Sequence, residues 1–264
     1  MSKILITGCN GQLGRAIQNE YNGEAEFILS DMMELPDVMK LDIGNEDEVR
    51  RIAGIVKPDI IINCAAYTNV DGCEQHEEDA YRANAIGPKN LAMVARECDA
   101  TLVHISTDYV FDGAATEPIR EEDIPNPVSA YGRTKLAGEK FVQEEAVKYF
   151  ILRTAWLYGD GKNFVRTMLA LSETHDEVSV VCDQKGSPTS TVELAKVIRY
   201  LLGTGEYGIY HATCEGETNW AAFAEEIFRE AGKSTKVNYV TSEEYAAMNP
   251  AAANRPSYSV LENA

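Results

Sequence analysis

The chain has 264 residues, 45% hydrophobic and 25% charged, with a formal net charge of −18. Those values suit one large globular domain or two unequal lobes. The acidic balance argues against a nucleic-acid surface and against anionic membranes, so any anionic ligand must be held by local donors.

KILIT (3–7) is a short β-rich apolar run. Gly8-Cys9-Asn10-Gly11-Gln12-Leu13-Gly14 follows at once, then the helical pattern RAIQNEY. Strand, glycine turn and helix form the context of a dinucleotide fingerprint, here spaced GxxGxxG. Gly8 permits the turn off the strand, Gly11 lets backbone N–H groups approach a pyrophosphate, and Gly14 lets the helix pack close to the sheet. A glycine turn in some other α/β protein is the bland alternative. AEFILSD (25–31) reads as a second strand ending in Asp31. An acid there accepts hydrogen bonds from ribose hydroxyls and repels a 2′-phosphate, a modest tilt toward NAD over NADP.

VMKLDI gives a short third strand, and Asn45 caps the helix EDEVRRIAGIV. Asp42 at that strand's end is either an acceptor for an adenine amine or a plain turn residue. DIIINCAA reads as a central parallel strand buried on both faces. Its small Ala65 and Ala66 would let a cofactor lie against the backbone. A long helical stretch spans about 77–98; its Asn84 is either a surface residue or a bond to a strand edge. TLVHISTDYVFDG (101–113) is another buried strand, ending in Ser106, Thr107, Asp108 and Tyr109. Ligands of open α/β sheets bind beyond such strand ends, although hydroxyls there are also ordinary turn formers.

Tyr131 and Lys135 then stand four residues apart in SAYGRTKLAGEK, one turn apart on one helix face. An ammonium beside a phenol favours phenolate, which makes Tyr131 a candidate proton donor. YFILRTAWLYG (149–159) predicts a further strand, FVRTMLALSETH a helix, and VSVVCDQKGSPTSTVELAKVIRYLL a strand, a loop and a helix. GIYHA is a short strand, and NWAAFAEEIFREAG an amphipathic helix ended by Gly232. The β-α alternation predicts a right-handed doubly wound parallel sheet, with the loop at 183–190 as the crossover between lobes. Six cysteines at 9, 64, 73, 98, 182 and 214 include no CxxC pair, and only four histidines occur, so neither a zinc cluster nor a disulfide framework is expected. No run approaches the roughly 18 apolar residues of a membrane span, and MSKILITG is too short for a signal peptide. A reduced cytoplasm is the expected compartment.

GCNGQLG (8–14), NCAAYTNVDGCE (63–74), STDYVFDG (106–113), SAYGRTKLAGEK (129–140), LRTAWLYG (152–159), DQKGSPT (183–189) and NRPSYSVL (254–261) occur in one order over nearly the whole chain. With these pieces the sequence resembles the extended short-chain dehydrogenase/reductases that act on nucleotide sugars. The resemblance implies a Rossmann domain over 1–155, joined by part of 190–212, and a smaller α/β substrate lobe over 156–264, interleaved with it. It implies hydride transfer from NADPH or NADH to the C4 keto carbon of dTDP-4-dehydro-β-L-rhamnose. Tyr131 would donate the proton, Lys135 would bind the nicotinamide ribose, and Thr107 would hydrogen-bond the keto oxygen. Gly11, Gln12, Leu13, Asp31, Asp42, Ile43, Ala65, Ala66 and Tyr67 would line the cofactor. Asp108, Trp156 and Arg255 would face the substrate, although before the match Trp156 reads as core and Arg255 as a solvated tail residue.

Some relatives dimerise through Mg²⁺ held by acidic side chains, one from the first helix. Ala16 stands at that position, so Mg²⁺ is not supported and a monomer is expected over a homodimer. Relatives continue past the NRPSYSVL segment with a further helical stretch, which a chain ending at Ala264 would lack. Another nucleotide-sugar epimerase or dehydratase remains an alternative, but dehydratases carry Asp-Glu after the strand-end Thr where this chain has Asp108-Tyr109. A non-catalytic regulatory subunit of the same fold is the other alternative, set against the presence of all three of Thr107, Tyr131 and Lys135.

Overall fold

A computed structural model describes residues 2–21 and 23–263. The first half contains β1 (Lys3–Thr7), α1 (Gln12–Tyr21), β2 (Glu26–Asp31), β3 (Met39–Lys40), α2 (Glu46–Val56), β4 (Ile60–Asn63), α3 (Val70–Gln75) and α4 (Glu77–Tyr81). A π-helical turn, Arg82–Ile86, leads into α5 (Gly87–Glu97), followed by β5 (Thr101–Thr107) and α6 (Ala130–Glu145). Then come β6 (Tyr149–Thr154), β7 (Leu157–Tyr158), α7 (Phe164–Ser172), β8 (Glu177–Val181), β9 (Lys185–Gly186) and β10 (Thr189–Ser190). The chain continues through α8 (Thr191–Leu202), β11 (Gly208–His211), β12 (Thr218–Asn219), α9 (Trp220–Glu230), β13 (Lys236–Val240) and α10 (Ser242–Met248).

Seven parallel strands form one sheet in the order β11-β6-β5-β4-β1-β2-β3. Alternate side chains load its two faces, which explains the unbroken apolar runs. Leu5, Ile61, Leu102 and Ile151 pack with Ile52 of α2, Leu91 of α5 and Val142 of α6. Ile4, Ile6, Ile62, Val103 and Phe150 pack on the other side with Leu13 and Ile17 of α1 and Leu194 and Ile198 of α8. This is the doubly wound α/β arrangement that the β-α alternation predicts. The helical stretch over 77–98 is present, with the π-turn inside it.

A third hydrophobic cluster joins Met168 of α7, Val178 and Val180 of β8, Phe228 of α9 and Val237 of β13. There β8 and β13 pair in parallel. Although β11 follows β8 in sequence, it belongs to the main sheet, and α8 packs on α1. Segment 149–159 departs from the single predicted strand. Trp156 takes φ +48°, in the left-handed region, and turns the chain out of the main sheet so that β7 pairs with β10. The tail returns to the first half, where Leu261 bridges Ile119 and packs with Val110 and Phe111. Among the described residues, no helix is long and apolar enough to cross a membrane.

Candidate active site

The ends of β1, β4 and β5 meet at one edge of the sheet, and the glycine turn sits over β1. Gly8 has φ +63°, and a Cβ on it would lie 2.8 Å from the backbone N of Ala65. Only glycine fits so close an approach. Ala65 is itself held, its N–H donating to Asn63 Oδ1 (3.2 Å), which also accepts from Thr7 Oγ1 (2.7 Å). Gly11 N–H donates to Gly8 O (3.0 Å), and α1 begins at the next residue. The first-turn N–H groups of α1 have no carbonyl partner within the helix and form an anion-binding end. Gly14 packs against Cys9. The Gln12 side chain turns away to Leu157 O (3.2 Å) and Asn163 Nδ2 (3.2 Å). The Leu13 side chain is buried in the core.

Asp31 accepts from Asn10 N at Oδ2 (3.2 Å) and from Met33 N at Oδ1 (3.1 Å), which steadies the glycine turn and leaves acceptor capacity. Asp42 accepts from Gly44 N at Oδ1 (2.9 Å) and is paired with Arg82 at Oδ2, so both oxygens already serve its turn. Ile43 is buried in the first core cluster. Asn84 is buried and grips the backbone of Tyr67, accepting from its N–H (2.8 Å) and donating to its carbonyl (3.1 Å). The deep glycine turn, the small Ala65 and Ala66 and the Asp31 carboxylate fit a dinucleotide lying across the strand ends. Among the described residues, no group of three His, Cys, Asp or Glu side chains could hold a metal ion.

Helix α6 starts where Ser129 caps it, accepting from Gly132 N (3.2 Å). A Cβ at Gly132 would lie 2.1 Å from Tyr109 O, so its absence lets α6 press against the turn after β5. That contact brings the Tyr131 phenol close to the Thr107 hydroxyl. Thr107 Oγ1 donates to Asp108 Oδ1 (3.0 Å), and the Tyr109 ring meets Tyr131 edge-on at 5.4 Å between centroids. One turn on, Lys135 is 2% exposed and donates to Ile105 O (2.5 Å).

The expected lowering of the Tyr131 pKa is corrected by this geometry. Burial pushes the phenol upward, the nearby Thr107 hydroxyl opposes it only partly, and the Lys135 ammonium is engaged at Ile105 instead. Burial also pushes Lys135 down to about 8, against the pull of Glu139 and Cys64. The free protein should therefore lose kcat/KM above about pH 8, as Lys135 gives up its charge while Tyr131 still holds its proton. A pH profile of kcat/KM checks this, and a flat profile to pH 9.5, roughly, would contradict it.

Arg255 Nη2 donates to Asp71 Oδ1 (3.0 Å) and its charge also faces the Tyr109 phenol. Asp71 further accepts from Ala253 N (2.9 Å), which straps the tail to α3 beside a cavity of about 370 Å³ lined by Asn69, Asp71, Tyr245 and Asn249. Trp156 stacks on Trp220 at 3.6 Å between centroids, within an aromatic group that includes Phe164. Thus Thr107, Asp108, Tyr131, Lys135 and Arg255 converge around the turn after β5, while Trp156 stacks on Trp220 instead. A larger groove of about 940 Å³ lies by Ala115, Cys214 and Asn263 and contains neither Tyr131 nor Lys135.

One element went unread in the sequence. Glu139 is fully buried behind Lys135, accepts from Ser106 Oγ (2.5 Å) and pairs with buried Arg153 (2.8 Å). Its spacing of four from Lys135 and eight from Tyr131 was the available signal.

Residues 2–264 match the family described as RmlD substrate binding domain. The spore coat polysaccharide biosynthesis protein SpsK of Bacillus subtilis is 41% identical over 266 residues, covering 100% of this chain and 90% of that protein. A solved dTDP-4-dehydrorhamnose reductase from Clostridium acetobutylicum is 53% identical with a TM-score of 0.93, covering 99% of this chain and 90% of that one. The dTDP-4-dehydrorhamnose reductase of Bacillus anthracis, solved in complex with NADP, is 43% identical with a TM-score of 0.92, covering 100% of this chain and 91% of that one.

Proposed function

The chain belongs to the RmlD substrate binding domain family, and from that premise we propose how its residues carry out the reaction. It is an NAD(P)H-dependent oxidoreductase of dTDP-rhamnose biosynthesis, a dTDP-4-dehydrorhamnose reductase. The observation that carries the assignment of roles is the Tyr131 phenol close to Thr107 at the turn after β5, with Lys135 one helical turn on and donating to Ile105 O.

A bound dihydronicotinamide supplies a hydride to the C4 keto carbon of the sugar. Tyr131, which holds its proton through the neutral range, gives that proton to the developing C4 alkoxide, so the product carries a hydroxyl. Thr107 aligns the phenol, and the Lys135 charge stabilises the phenolate left behind. The α1 N-terminus holds the cofactor pyrophosphate, with Asp31 at the ribose hydroxyls. Arg255 exchanges Asp71 for the sugar diphosphate, which a −18 protein must hold by local charge. Ala16 at the position of the relatives' metal-binding acid favours a monomer without Mg²⁺.

Enzymatically prepared dTDP-4-dehydrorhamnose, added with NADPH or NADH in separate reactions, should oxidise at least one of them. The sugar product should be dTDP-rhamnose. Absence of oxidation with either cofactor would overturn the assignment.

A further inference from the structure

The Thr107 hydroxyl has one proton, and the structure shows where it goes. Thr107 Oγ1 donates to Asp108 Oδ1 at 3.0 Å. Its lone pairs are then left for the Tyr109 N–H (3.3 Å) and for the Tyr131 phenol. Asp108 is 2% exposed, and its second oxygen, Oδ2, is buried with no partner of hydrogen-bond geometry among the described residues. The Ser259 hydroxyl, brought back by the tail, stands near that carboxylate without making such a bond, yet still eases its charge. A buried carboxylate so thinly solvated is costly to maintain, and a mere turn former would not need one.

We propose that Asp108 is a positioning residue, whose carboxylate accepts the Thr107 hydroxyl hydrogen bond and so turns a Thr107 lone pair toward the Tyr131 phenol. This rests on Tyr131 being the acid of the proposed reaction. It goes beyond a substrate contact at Asp108, because Asp108 acts through Thr107. The chain of donation runs from Tyr131 to Thr107 to Asp108, which aligns the phenol before the keto oxygen arrives. Once Tyr131 has given its proton to the alkoxide, the Thr107 hydroxyl swings from Asp108 to donate to the phenolate. No proton leaves Thr107 or Asp108 in that swing.

The groups facing Asp108 from each neighbouring element fix the direction of the pH effect. Tyr131 of α6 and Tyr109 of its own turn flank it, with Asp71 and Cys73 of α3 and Arg255 of the tail behind the two phenols. Burial pushes the Asp108 carboxyl up to about 6, and Ser259 and Thr107 pull it down. Protonation below that value turns one carboxylate oxygen into a donor and weakens the other as an acceptor, so kcat should fall on the acid side.

The test compares Asp108→Asn, Ser259→Ala and Tyr131→Phe with the wild-type protein, using dTDP-4-dehydrorhamnose and NADPH. Asp108→Asn should lower kcat by about 10-fold or more, leave KM for the sugar within about 3-fold, and abolish the acid limb. Its NADPH affinity, read by fluorescence, should be unchanged. Ser259→Ala should move the acid limb upward, because one group that eases the Asp108 charge is gone. A substrate-binding or purely structural role would instead raise KM alone or lower kcat with the limb unmoved, and either result overturns the proposal. Should Asp108→Asn fail to fold, the Ser259→Ala limb decides, and an unmoved limb overturns it. Full turnover in Tyr131→Phe would sink the underlying mechanism, whereas an inactive Tyr131→Phe beside an unaffected Asp108→Asn would sink this inference alone.

Discussion

Alanine at Glu139 should destabilise the fold by about 3–5 kcal/mol, the cost of breaking a buried ion pair from one side. Glu139 and Arg153 have side-chain exposures of 0% and 3%, and Arg153 donates to both carboxylate oxygens. Ser106 supplies a further hydrogen bond to Glu139, and Arg153 lies over the Phe111 ring at 5.1 Å. With the carboxylate gone, a guanidinium stays buried without its counter-charge. Exposed pairs offer the contrast: Arg229–Glu226 sits in solvent at both ends, where water screens the attraction and little stability is gained. Urea unfolding of Glu139→Ala and Glu226→Ala measures the difference directly. The double variant Glu139→Leu with Arg153→Met should recover most of the loss, because it removes both charges together. Equal stability of Glu139→Ala and wild type would refute the argument. A kinetic consequence accompanies it: Glu139 holds the Lys135 pKa up, so a variant that still folds should show its basic limb below about 8.

What could be read in advance divides along a physical line. β1, β4 and β5 are buried on both faces, so their composition alone marks them, and a GxxGxxG turn between strand and helix has few other uses. Tyr131 and Lys135 were legible because helical spacing is local. Trp156 was not, since nothing local signals that a tryptophan takes φ +48° and breaks the strand. Partner choice was equally hidden. Asp71 meets Arg255 across 184 residues, Ser259 reaches Asp108 from the tail, and Asp42 meets Arg82 rather than staying free. The Lys135 error has the same origin: spacing places its ammonium near Tyr131, but only the packed β5 strand shows the Ile105 carbonyl that receives it.

Replacing Tyr131 with phenylalanine should lower kcat by roughly 10²–10⁴-fold, the usual contribution of a positioned general acid. The substitution removes one oxygen and keeps the ring, so the edge-on contact with Tyr109 at 5.4 Å survives. Ser129 still caps α6, and Gly132 still lets the helix press on the turn after β5, so Lys135 keeps its place at Ile105. The substitution should cost little stability, because Thr107 retains Asp108 and Tyr109 as partners. Cofactor affinity should therefore hold while turnover collapses. Stopped-flow hydride transfer and fluorescence binding of NADPH separate the two quantities on the same protein. If the phenol served only to pack, the Tyr131→Phe variant would turn over normally. If it served mainly to hold the nicotinamide ribose, the dissociation constant would rise with kcat little changed. Only a general acid predicts the combination of a lost chemical step and an unaltered cofactor site, because the proton is the one thing that phenylalanine cannot supply.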